Sequence, residues 1–136
     1  MSVEVNKNLA DYNDGIKKSL ELGGKSYKWI TTNNKEELKK EYKRVIPIVR
    51  VVARKYGYAI GVHGSLQRDL DLIAVQWVSK TKSVKKMVKE IQLSISSCYE
   101  SDPKMVKRPH GRTAYIIHIG RFAYIDLSII KGGKHD

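Results

Sequence analysis

Residues 56–77 read Tyr-Gly-Tyr-Ala-Ile-Gly-Val-His-Gly-Ser-Leu-Gln-Arg-Asp-Leu-Asp-Leu-Ile-Ala-Val-Gln-Trp, two apolar runs joined by a polar knot. In the first run Tyr58, Ile60 and Val62 alternate with Ala59 and Gly61, the period of a strand, and the run ends in His63-Gly64-Ser65. Asp69 and Asp71 open the second run two residues apart. Strand side chains alternate, so both carboxylates are expected on one face, followed there by Ile73, Val75 and Trp77. Adjacent like charges repel, and a fold gains from them only with a cation between them. Hard cations such as magnesium are the usual partners of paired carboxylates.

Working outward, residues 33–56 precede the first strand with the pattern of a long amphipathic helix. Asn33 followed by Glu36 is a start signal, and Leu38, Tyr42, Val45, Val49, Val52 and Tyr56 recur every three or four residues. Pro47 predicts a kink or break near Ile46, and Gly57 the C-terminal stop. On the other side, Ser83 caps a second helix with the stripe Val84, Met87, Val88, Ile91, Ile95 and Cys98. Its opposite face, Lys85, Lys86 and Lys89, reads first as a solvated surface. Residues 100–112 hold two prolines and no period, so a basic loop is expected. Residues 113–119 and 122–130 are β-branched and aromatic around Gly120-Arg121, which predicts a hairpin.

The first 32 residues are polar and punctuated by Gly15 and Gly23-Gly24. A short helix over 16–22 is one expectation, with Tyr27, Trp29 and Ile30 forming either an edge strand or an arm packed on the core. The expected organisation is an N-terminal arm (1–32), one domain (33–130) and a frayed tail (131–136). The element order predicts an α+β fold, a mixed and mostly antiparallel sheet with flanking helices.

The chain has 136 residues, and 26 Lys and Arg against 14 Asp and Glu leave a net charge of +12. This balance favours a polyanionic partner, nucleic acid or a nucleoside triphosphate, with a solvated surface as the plainer reading beside it. A single Cys98 excludes a disulfide or a cysteine zinc cluster within one chain and suits a reducing cytoplasm. The polar start predicts no signal peptide, and no apolar run approaches the length of a membrane span.

Tyr124-Ile-Asp-Leu-Ser128 sets a lone carboxylate, Asp126, among core-type residues, on the face opposite Ile125 and Leu127. Were this strand to lie beside the one carrying Asp69 and Asp71, three carboxylates would converge and predict a metal. Plainer readings stand beside this. Asp69 and Asp71 suit turn and cap positions, and Asp126 suits an ion pair with Arg121 or Arg112. His63, His110 and His118 lack local ligand spacing, and His118 reads first as a core or interface histidine.

Gly-Ser ending one strand, Asp-x-Asp in the next and a later Asp within an apolar strand resemble the DNA polymerase beta-like nucleotidyltransferase superfamily. The run His63-Gly-Ser-Leu-Gln-Arg-Asp-Leu-Asp-Leu-Ile-Ala-Val, with Pro109-His-Gly-Arg and Tyr124-Ile-Asp-Leu-Ser, is similar to small phage-encoded proteins of this type. The resemblance covers roughly residues 56–130. It implies that Gly64 and Ser65 hold a triphosphate, that Asp69 and Asp71 bind magnesium, and that Asp126 completes the metal site and helps activate the attacking hydroxyl. Only Leu66, Gln67 and Arg68 separate Gly-Ser from Asp-x-Asp, where the superfamily usually has a helical turn or more. A tight hairpin is therefore expected, without a helix N-terminus for the phosphates. Arg68, Arg108, His110 and Arg112 are the available substitutes.

The functional expectation is a magnesium-dependent transfer of a nucleotidyl group from a nucleoside triphosphate to a hydroxyl acceptor, RNA on the charge argument. It would act in the cytoplasm, the host's if the chain is phage-encoded. Two other classes stand beside it: a catalytically silent nucleic-acid-binding module of the same fold, and a phage protein that binds a host protein. The triplet His63-Gly-Ser65 also matches half of a 2H phosphoesterase motif, but His118 is followed by Ile119-Gly120 and supplies no second triplet.

Overall fold

The computed structural model describes residues 29–96 and 102–132. Helix α1 spans Lys35–Lys55, and its cap is Asn34, one residue later than expected, whose Oδ1 accepts a hydrogen bond from the Glu37 N–H at 3.0 Å. Glu36 and Glu37 in the first turn and Arg54 and Lys55 in the last oppose the helix dipole. Pro47 does not break the helix. Its ring costs one backbone hydrogen bond, whereas Val45, Ile46, Ile48 and Val49 around it are all buried and hold both halves against the core. Gly57 ends the helix as expected, with φ +93°. A Cβ there would stand 2.6 Å from Val78 Cγ2, so both the turn and the packing require glycine.

Helix α2, Val84–Ile95, starts where Ser83 Oγ accepts from the Lys86 N–H and buries Met87, Val88, Ile91 and Ile95. Cys98, expected on the same stripe, lies outside the described residues, as do Tyr27 and the helix expected over 16–22. Glu90 joins the two helices, accepting from the Tyr56 hydroxyl at 2.7 Å and pairing with Lys55 Nζ at 2.7 Å.

The fold is α+β. Five strands, β1 (Tyr58–His63), β2 (Leu70–Gln76), β3 (Lys104–Lys107), β4 (Thr113–His118) and β5 (Tyr124–Ile130), form one mixed sheet in the order β1-β2-β5-β4-β3. Every neighbouring pair is antiparallel except β2 and β5, which are parallel. The expected hairpins, β1–β2 and β4–β5, are both present. Strand β3 corrects the sequence reading, which made residues 100–112 wholly loop. Lys-Met-Val-Lys is too short and too charged to show a period, and it becomes a strand by pairing with the edge of β4.

Alternation along the central strands divides the sheet into two faces. Leu70, Leu72 and Ala74 of β2 and Ile125 and Leu127 of β5 are buried in one cluster with Tyr42, Val49 and Val52 of α1 and Met87 and Ile91 of α2. Among the described residues, no helix covers the other face. Of the arm, Ile30 joins the core side. Ile30 is buried, its N–H donates to the Ile119 carbonyl, and its own carbonyl accepts from the Arg121 N–H at 2.8 Å. Of the tail, Gly132 is tethered rather than frayed, its N–H donating to Gln76 Oε1 at 2.9 Å. No described helix is long and apolar enough to cross a membrane.

Candidate metal centre

The parallel register of β2 and β5 builds the site. Leu70 pairs with Ile125 and Leu72 with Leu127 in the core, so Asp71 is set directly against Asp126 on the open face. Asp69, two residues before Asp71, ends the β1–β2 connection and lies on the same side. One carboxylate oxygen from each of Asp69, Asp71 and Asp126 lies within 4.8 Å of the others. This is the convergence that the sequence made conditional on strand placement.

The connection over residues 64–69 is wider than the tight hairpin expected. Gly64 (φ +85°) and Leu66 (φ +63°) both take left-handed conformations, and Leu66 packs against the core while its neighbours stay exposed. A Cβ on Gly64 would meet Asp71 Oδ2 at 3.0 Å, so glycine lets the loop backbone close on that carboxylate. The Tyr42 hydroxyl, from α1, donates to the Arg68 carbonyl at 2.8 Å and ties the loop to the helix layer.

Crowding of like charge shows in the acidities. The Asp71 carboxyl is pushed up to about 6, first by burial, then by a hydrogen bond with Asp69 and the charges of Asp69 and Asp126, with His63 opposing. Burial and then the same carboxylates raise Tyr124, against which Arg68 acts. Tyr42 is pushed up to about 12, mostly by burial, with Asp69 and Asp71 adding to it. Below about pH 6 the proton on Asp71 therefore does part of what a cation would do. Three hard oxygen donors suit magnesium, manganese or calcium over zinc or copper, and the donor set can hold such an ion.

A groove of about 350 Å³ beside the carboxylates is lined by His63, Asp71, Arg108, Arg112, Asp126 and Ser128 among others. Arg108 Nη2 lies 2.6 Å from Asp126 Oδ2. An ion pair at Asp126 was one of the plainer expectations, but its partner is neither Arg112 nor Arg121. Arg121 instead lies over the Phe122 ring, 5.4 Å from its centroid. Of the basic loop, Arg108 and Arg112 border the patch as expected, whereas exposed His110, in a left-handed conformation with φ 66°, is not among the groove's lining residues. Ser65 and Arg68 are exposed on the β1–β2 connection.

Of the two places expected for His118, core or interface, the core is excluded: the residue is exposed, its ring centroid 6.0 Å from that of Tyr124. Sequence reading overlooked His63 and Ser128 as groove residues. His63 is the cross-strand partner of Asp71, and the alternation of β1 against β2 could have placed it there. Trp77, expected to continue the Asp71 face, stands one residue past β2 and lines a different groove with Arg50 and Arg54.

No family model, curated protein or solved structure matches this chain.

Proposed function

We propose that the chain is a magnesium-dependent nucleotidyltransferase that moves a nucleotidyl group from a nucleoside triphosphate to a hydroxyl of RNA. The observation that carries this reading is the in-register facing of Asp71 and Asp126 with Asp69 beside them, three hard donors on an open face next to two arginines. Bound magnesium supplies Lewis-acid stabilisation of charge on the α-phosphate and lowers the acceptor hydroxyl's pKa. Asp69, Asp71 and Asp126 would hold it, and Asp126, on the neighbouring strand, would face the acceptor. Gly64, Ser65 and Arg68 stand on the β1–β2 connection, which approaches Asp71 at Gly64. Arg108 and Arg112 have the planar forks to bind phosphate oxygens once a substrate draws Arg108 from Asp126.

A second reading has its own observation. Arg108 already gives Asp126 a cation, which is how a silent descendant of a metal site would neutralise it, leaving a nucleic-acid-binding module. One experiment separates the two. The protein is incubated with RNA and each α-labelled nucleoside triphosphate, with and without magnesium, beside Asp71→Asn. Metal-dependent labelling that falls at least a hundredfold in Asp71→Asn is the expected result. Absence of transfer together with absence of magnesium-dependent thermal stabilisation would favour the silent module.

A further inference from the structure

A second groove, of about 450 Å³, lies between α1 and the edge strand β1, away from the carboxylates. It is lined by Arg50, Arg54, Tyr58, Ala59, Ile60 and Trp77. We propose that this groove binds single-stranded RNA, with phosphates on Arg50 and Arg54 and a base stacked on Trp77.

Exposure and charge both support the assignment. The Trp77 side chain is 74 % exposed, the most exposed of the large apolar residues described, although its backbone is fixed by an N–H donated to the Gly57 carbonyl at 2.7 Å. An indole so exposed forfeits burial and offers a flat face to a ring from outside. Arg50 and Arg54 stand one turn apart on α1, both exposed and without an ion pair among the described residues, and no carboxylate lines the groove. Lys43, seven residues before Arg50, is exposed and extends the same helical side toward the end of α1 that carries Tyr42. Phosphate-binding cations beside an aromatic platform are what a single strand needs, because unpaired bases expose their faces and a duplex does not.

The larger groove along α2 is the weaker candidate despite Lys85, Lys86 and Lys89. Glu90 and Asp102 also line it, and Lys89 is paired with Asp102. Its positive charge is partly spent inside the protein.

The two sites are compatible. Tyr58 and His63 are the ends of β1, which places the Trp77 groove about 17 Å along the strand from the carboxylates. The groove opens on the α1 side of the β1 edge and the carboxylates on the opposite face, so a strand that reaches both passes round that edge. Only the choice of RNA rests on the transferase reading, since the groove itself recognises phosphates and base faces.

The test is fluorescence anisotropy with a labelled single-stranded RNA of about a dozen nucleotides, without magnesium or nucleotide, across a salt series. Trp77→Ala is expected to weaken binding roughly ten- to a hundredfold, and Trp77→Phe much less. Arg50→Ala with Arg54→Ala should flatten the slope of log affinity against log salt by about 1.4. Lys85→Ala with Lys86→Ala removes the same charge elsewhere and should weaken binding less than about threefold. Binding is read without magnesium or nucleotide, so a failed transfer assay leaves this result readable. Arg50, Arg54, Trp77, Lys85 and Lys86 are all exposed, and unchanged melting temperatures of their variants verify the fold. The proposal is overturned if the lysine pair matters as much as the arginine pair, if Trp77→Ala binds normally, or if a duplex of the same sequence competes as well as the single strand.

Discussion

The two faces of the central strands differ by a single step along the chain. On one, Leu70, Leu72, Ile125 and Leu127 are closed off by two helices; on the other, Asp71 and Asp126 face each other at the same register. Hydrophobic burial and charge repulsion thus act on the same two strands in opposite directions. The register belongs to the core side, because slipping by one residue would turn Leu72 and Leu127 outward. The carboxylates are carried to within 4.8 Å of one another as its consequence. What destabilises the open face is there because the apolar face is strong enough to impose it, an arrangement typical of sites kept for function.

The largest expected effect breaks the apolar side. Leu127→Ala leaves a cavity beneath both helices and should cost about 2–5 kcal/mol in urea denaturation, whereas a truncation on the open face should cost far less. A loss at Leu127 no greater than at Ser128→Ala would show that the helix-covered face does not set the register.

A middle effect concerns pH. The folded Asp71 carboxyl holds its proton to about 6 against an ordinary 3.8, so between these values the folded state binds more protons than the unfolded state. The contribution of Asp71 to stability should be fullest below about 4 and should fall as pH rises through 6. In Asp71→Asn that part of the decline should vanish, leaving the variant more stable than wild type at pH 7 by about 1 kcal/mol, discounted for the site's partial exposure. Melting temperatures measured from pH 4 to 7 for both proteins check this, as does added magnesium, which should raise wild type above pH 6 and leave the variant unmoved. A wild-type profile matching the variant's would remove the repulsion from the account.

The smallest effect sharpens the comparison. Arg108→Ala strips the cation from Asp126, and because the pair is partly exposed the stability loss should stay within about 1 kcal/mol. Magnesium-dependent stabilisation should meanwhile grow, since Arg108 and the metal compete for one carboxylate. A weaker magnesium response in Arg108→Ala would make Arg108 a support of the site and not its competitor.

Much of this was legible in the residues. The periods of α1 and α2, the Ser83 cap, the Gly57 stop and the two hairpins follow from local patterns, because helices and tight turns are decided by neighbours in sequence. Alternation likewise put Asp69 with Asp71, and set Asp126 opposite Ile125 and Leu127. Illegible were β3, whose four residues become a strand only on the edge of β4, the continuity of α1 through Pro47, and the positions of Trp77 and His118. The cation on Asp126 was also misassigned, since Arg108, Arg112 and Arg121 are equal as residues and differ only in where the loops put them.

The sequence by itself determined which side chains share a face within each strand, since that depends on a backbone period of two and on nothing distant. Which strand lies beside which, and at what offset, was decided only by the tertiary structure. Residues 71 and 126 meet because two apolar rows, 55 positions apart in the chain, bury together beneath the helices, and no local spacing encodes that pairing.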